Sequence, residues 1–198
     1  TESAAEPGYP QTKGTLALRK AIVGAMERRF HVTGLDADTQ VLPVIGTKEA
    51  IAWMPTLLGL GAGHTVVIPE LAYPTYEVSA RLAGADVLRS NSLLKLGPQT
   101  PALIYLNSPA NPHGQVLGVE HLRKFVEFAR DRGTIIVSDE CYLGLGWGDE
   151  RPVSILDPEV CGGDFTNLIA VHSLSKTSNL ASYLSLIHIS EPTRRTPI

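Results

Sequence analysis

The sequence predicts an α/β fold built on a mainly parallel sheet, from three observations. Its strand-like runs are short and apolar almost throughout: "HTVVIP" (64–69), "PALIYLN" (101–107), "TIIVSDE" (134–140) and "NLIAVHS" (167–173). Strands of that kind are buried on both faces, as in a parallel sheet covered by helices. Several of the intervening stretches carry apolar residues three and four apart, the spacing of an amphipathic helix. The two kinds of segment alternate along the chain, as βα units require.

Residues 15–30, "TLALRKAIVGAMERRF", place Leu18, Ile22, Met26 and Phe30 on one helical face. A second helix is expected from about Thr47 through "KEAIAWMPTLLGL". Pro55 should kink or break it, because proline has no N–H to give the preceding turn. The strand at 64–69 follows, then a helix over 73–84, "YPTYEVSARLAG", stopped by Gly84. "ADVLRS" (85–90) and 101–107 are strands, and "GVEHLRKFVEFARDRG" (118–133) is a helix ended by Gly133. Strands at 134–140 and 167–173 complete the series. Residues 144–164, rich in Gly, Pro and Asp, are expected as a long loop.

At 198 residues the chain can form one sizeable core, or a domain and part of another. Its net charge of -3 gives no electrostatic reason to bind nucleic acid or an anionic membrane. Cys141 and Cys161 are the only cysteines, too few for a disulfide framework or a metal site, so a reducing, cytoplasmic setting and no metal are expected. No run of about 18 apolar residues occurs, and Thr1-Glu2-Ser3 does not resemble a signal peptide. The chain is expected to be a piece entered mid-protein.

In open parallel sheets, ligands bind outside the carboxyl ends of the strands. That rule selects Asn107 to Gly114, Asp139 to Tyr142, and Ser173 to Lys176. "GTKEA" adds a glycine and a hydroxyl at a helix start, where free N–H groups and the helix dipole favour a phosphate. Taken singly, each of these is commonplace: a capping Asp, a solvated Lys, a proline turn, an ordinary N-cap. Cys141 is better read as a small buried apolar side chain than as a nucleophile.

The motifs "YPQTKG", "GTKEA", "YPTYE", "NSPANPHG", "SDECY" and "SLSK" stand in one order along the chain. In that order they resemble the class I and II aminotransferases, pyridoxal-phosphate enzymes of fold type I, from Tyr9 to about Tyr183. The resemblance implies the large domain of that fold, truncated, in residues 1–183, together with part of an N-terminal arm. It implies that Lys176 is the Schiff-base lysine and moves the proton of the substrate Cα. Lysine suits both tasks because its basicity falls readily in a buried or cationic setting. Asp139 would pair with the pyridine nitrogen and keep the ring an electron sink. Tyr142 and Asn111 would bond the ring's phenolic oxygen, and Tyr73 would stack on the ring. Thr47, the Lys48 backbone and Ser173 would hold the phosphate. Tyr9 would reach the phosphate of a neighbouring subunit in a homodimer.

Two departures follow. His113 stands where the family usually has threonine, and is read as a solvated turn residue. Leu184 stands eight residues after Lys176, where the family has an arginine that grips the phosphate with two hydrogen bonds. From there, Leu184 to Arg194, "LSLIHISEPTR", resembles the in-frame translation of a sequencing-library adapter. Residues 184–198 are therefore expected to be a non-native tail that packs poorly, leaving an unpaired apolar sheet edge after residue 183. The chain itself is expected to be inactive.

Longer stretches, among them "VLPVIGTKEAIAWMPTLLGLG" and "TPALIYLNSPANPHGQVLGVEHLRK", resemble the bacterial N-succinyldiaminopimelate aminotransferases of lysine synthesis. These exchange an amino group between glutamate and N-succinyl-2-amino-6-oxopimelate. Other readings stay open: an aspartate or aromatic aminotransferase, a C–S lyase of the same fold type, or a fragment without catalysis.

Overall fold

The computed structural model describes residues 11–149, 151–180 and 185–189. The strands are β1 (Val41–Val44), β2 (Thr65–Ile68), β3 (Asp86–Arg89), β4 (Leu103–Asn107), β5 (Ile135–Asp139), β6 (Leu168–Ser173) and β7 (Ser185–Ile189). The helices are α1 (Leu16–Phe30), α2 (Thr47–Leu57), α3 (Pro74–Leu82), α4 (Val119–Arg132) and two single turns, α5 (Pro158–Cys161) and α6 (Leu174–Thr177). The strands lie in the order β1-β7-β6-β5-β4-β2-β3. Pairings from β3 through β6 are parallel, and β7 runs antiparallel to both β6 and β1.

Because side chains alternate along a strand, each central strand feeds two cores. Leu103 and Tyr105 of β4, Val137 of β5, and Ile169 and Val171 of β6 pack with α2 and α3. Ile104, Leu106, Ile136, Leu168 and Ala170 pack on the other face against α1 and α4. α1 supplies Ile22 and Met26 to that core, as its spacing predicts, with Leu18 and Phe30 packed at its margin. Thr15 caps the helix by accepting from the Leu18 N–H at 3.1 Å.

Four expectations need correction. α2 runs through Pro55 to Leu57 instead of breaking. Pro55 leaves the Ile51 carbonyl without its helical donor, and the Tyr105 hydroxyl donates to that oxygen at 3.0 Å. β1 was not foreseen. Its Pro43 argues against a central strand but is tolerated here, since among the described residues β1 lies at the sheet edge and pairs only with β7. Within 144–164, Asp157 caps α5, and Ile155, Leu156 and Val160 are buried in the α1/α4 core, so the segment is not simply a surface loop. Finally, β6 is not left open. Ser185–Ile189, a β-prone run, hydrogen-bonds to β6 on one side and β1 on the other. Among the described residues no helix is long and apolar enough to cross a membrane.

Candidate active site

The alternation that builds the cores also builds the site. Continuing from Tyr105, Val137 and Val171 by two residues brings Asn107, Asp139 and Ser173 to the α2/α3 side at the carboxyl ends of their strands. α2 begins beside them. Its N-cap, Gly46, offers no side-chain bond, so the first-turn N–H groups lack both a side-chain cap and helical acceptors. A cavity of about 270 Å³ lies there, just under the ~300 Å³ lower end of small-ligand sites. Thr47, Lys48, Tyr73, Asn111, Asp139, Tyr142, Ser173 and Lys176 all line it. Eight of the nine residues singled out from the sequence are thus brought together. Tyr9, the ninth, lies outside the described residues, as does Leu184.

Asp139 is 7% exposed and held on both oxygens. The Tyr76 hydroxyl donates to Oδ2 at 2.7 Å, and the Cys141 N–H to Oδ1 at 3.2 Å. Burial, and then the charge of Asp139, push the Tyr76 phenol far above the usual tyrosine range, so it stays a donor. The same two causes, in the same order, push the Cys141 thiol up. A thiol held protonated is a poor nucleophile, which agrees with an inert Cys141. Lys176 is exposed on α6, whose N-cap is Ser173; the Ser173 Oγ accepts from the Ser175 N–H at 3.1 Å.

Asn107 braces the turn that carries Asn111. Its Nδ2 donates to the Asp139 carbonyl at 2.9 Å, and its Oδ1 accepts from the Asn111 N–H at 2.7 Å. The peptide bonds before Pro109 and Pro112 are both cis. His113 is exposed in this turn, with Nε2 3.3 Å from Gln115 Oε1.

Residues one step out of phase face the opposite core. Glu140 and His172 are buried there, with Glu140 Oε2 and His172 Nε2 3.1 Å apart, a close contact outside hydrogen-bond geometry. Glu140 Oε1 also accepts from the Ile155 N–H at 2.7 Å and from Ser138 Oγ at 3.0 Å. His172 stacks on Phe30 of α1, ring centres 5.7 Å apart.

Ile51, Tyr76, Cys141 and Ser175 complete the lining. Of these, sequence reasoning missed Tyr76 most consequentially. The available signal was its place three residues after Tyr73, in a stretch whose pattern reads as helix from residue 73 on.

The donor set fits pyridoxal phosphate: an anion seat at the start of α2, a buried carboxylate for a ring nitrogen, an amine, a phenol, an amide and a flat aromatic ring. Comparisons with known proteins agree with that fit. The family model for aminotransferase class I and II matches residues 2–183. A probable aminotransferase of Mycobacterium tuberculosis is 65% identical over 91% of this chain and 43% of its own length. The 4-dedimethylamino-4-oxo-anhydrotetracycline transaminase of Streptomyces rimosus is 54% identical over 94% of this chain and 51% of its own length. The structure of N-succinyldiaminopimelate aminotransferase from M. tuberculosis superposes with a TM-score of 0.80 at 26% identity, covering 96% of this chain and 52% of that one. The chain spans about half the length of the relatives it matches.

Proposed function

We propose, from the premise that this chain belongs to the class I and II aminotransferases, that it carries the pyridoxal-phosphate site of a cytoplasmic, homodimeric aminotransferase. The supporting observation is that Asp139 and Lys176 share one cavity with the N-terminus of α2. When bound, the cofactor supplies an electron sink for the pair released at the substrate carbon. The protein does the rest. Thr47, Lys48 and Ser173 seat the phosphate. Asp139 would face the ring nitrogen, Tyr73 would cover a ring face, and Asn111 and Tyr142 would orient the ring oxygen. Lys176 Nζ would hold the cofactor and carry the proton to and from the substrate carbon.

For the substrate we propose glutamate as amino donor and N-succinyl-2-amino-6-oxopimelate as acceptor. The likeness in fold to an N-succinyldiaminopimelate aminotransferase supports this. The 54% identity to a transaminase named for a tetracycline intermediate favours a second reading, a ketone on a larger ring system. The 198-residue chain itself is proposed to be a poor catalyst, because Leu184 cannot grip a phosphate as arginine does. Residues 184–198 are proposed to be non-native. The test joins residues 1–183 to a family-type C-terminal part that restores the arginine, and assays glutamate against both classes of acceptor. Turnover of N-succinyl-2-amino-6-oxopimelate is expected; turnover of the polycyclic ketone alone would move the assignment to the second reading.

A further inference from the structure

We propose that Tyr76 is a positioning residue for the cofactor's ring nitrogen, its hydroxyl fixing the rotation of the Asp139 carboxylate that faces that nitrogen. This rests on the pyridoxal-phosphate assignment and adds to it a residue that the sequence motifs had not singled out. The side chain of Tyr76 is wholly buried, and its hydroxyl donates to Asp139 Oδ2 at 2.7 Å. Packing alone does not call for that oxygen: phenylalanine would fill the same space, and a buried hydroxyl is costly without a partner. The Tyr76 ring also meets Tyr73 edge-on, with centres 6.0 Å apart, so one side chain touches both the acid and the aromatic ring assigned to the cofactor.

Tyr76 is itself held by two neighbours, Tyr105 and Ser79. Tyr105 stacks against it with ring centres 4.8 Å apart and planes 16° from parallel. Ser79 Oγ donates to the Tyr76 carbonyl at 2.7 Å and lies 3.1 Å from the Tyr105 hydroxyl. That hydroxyl in turn donates to the Ile51 carbonyl freed by Pro55. These contacts hold α2, β4 and α3 together around the Tyr76 ring, but only the Tyr76 hydroxyl reaches the carboxylate. Tyr105 acts on Tyr76 through ring stacking, which phenylalanine would keep. The Tyr76 bond removes rotational freedom that Asp139 would otherwise lose only on binding, which is the benefit of a preorganised site.

The test uses the 198-residue chain and pyridoxal phosphate labelled with ¹⁵N in the ring. Equilibrium dialysis gives the dissociation constant, and the ring ¹⁵N resonance reports the hydrogen bond and protonation at that nitrogen. Tyr76→Phe is expected to weaken binding about tenfold or more, the scale of a lost hydrogen bond to a charged group, and to move the ¹⁵N resonance toward the unprotonated ring. Tyr105→Phe, which leaves the Tyr76 hydroxyl in place, should keep the ¹⁵N resonance of the unaltered chain. In that unaltered chain the slowly exchanging Tyr76 hydroxyl proton should shift when cofactor is added, a measurement that does not depend on any variant folding. An unchanged ¹⁵N resonance in folded Tyr76→Phe, an equal shift in Tyr105→Phe, or a Tyr76 proton indifferent to cofactor would each overturn the role. Failure of both this chain and the family-length protein with the arginine restored to bind pyridoxal phosphate would instead overturn the cofactor assignment, and this role with it.

Discussion

Asp139 and Glu140 are adjacent carboxylates at the end of one strand with opposite surroundings, because the strand's alternation turns one toward the cavity and the other into the core. Asp139 has donors from Tyr76 and Cys141 and a face on the cavity. In the enzyme extended to family length, Asp139→Ala should lower kcat by several orders of magnitude and Asp139→Glu much less, since only the alanine removes the proposed partner of the ring nitrogen. Equal steady-state rates in the two variants would contradict that role. Glu140 belongs to stability. Glu140→Ala strips the acceptor from the buried Ile155 N–H and from the Ser138 hydroxyl, and should cost about 1–3 kcal/mol in urea unfolding; no measurable change would count against it. The sequence made Asp139 legible through "SDECY" and the strand-end rule. It did not distinguish the role of Glu140, or mark Tyr76 and Asn107 as braces. Their importance lies in partners 63 and 32 residues away, which no local pattern encodes.

At the scale of elements, the apolar runs and helical spacings were legible wherever one period dominated over a full element. α1, α4, β4, β5 and β6 stand within a few residues of where the pattern put them. The departures came where a tertiary contact outweighed a local signal. Pro55 is tolerated because Tyr105 serves the carbonyl it frees, and Pro43 because β1 has an edge to occupy. This account of Pro55 can be measured. Tyr105→Phe should destabilise by about 1 kcal/mol, because the Ile51 carbonyl loses its donor. In a Pro55→Ala background a helical N–H is restored to that carbonyl, and the same change should cost clearly less. Urea midpoints of the four proteins give the coupling; strict additivity would show that Tyr105 does not compensate for the proline.

At the scale of the whole molecule, the order of six weak motifs made the family legible where no single motif could. The fold then brought five of those motifs, all but "YPQTKG", to one cavity. Substrate choice was less legible, since one fold hosts many substrates and the chain spans about half the length of its relatives. The proposed homodimer has a candidate face. Trp53 and Leu57 of α2, and Val78 and Leu82 of α3, lie four apart on two helices packed together, and each is at least half exposed. If α2 and α3 meet a second copy, Leu57→Glu should shift sedimentation from dimer to monomer in the family-length protein; an unaltered dimer would place the interface elsewhere.

If Lys176 is the lysine that holds pyridoxal phosphate, mixing the 198-residue chain with the cofactor, reducing with borohydride and mapping the modified lysine by mass spectrometry should show it. One dominant pyridoxyl group is expected, on Lys176, absent in Lys176→Ala and sharply reduced in Asp139→Ala. Modification spread evenly over Lys13, Lys20, Lys48, Lys95 and Lys124 with no preference for Lys176 would contradict it.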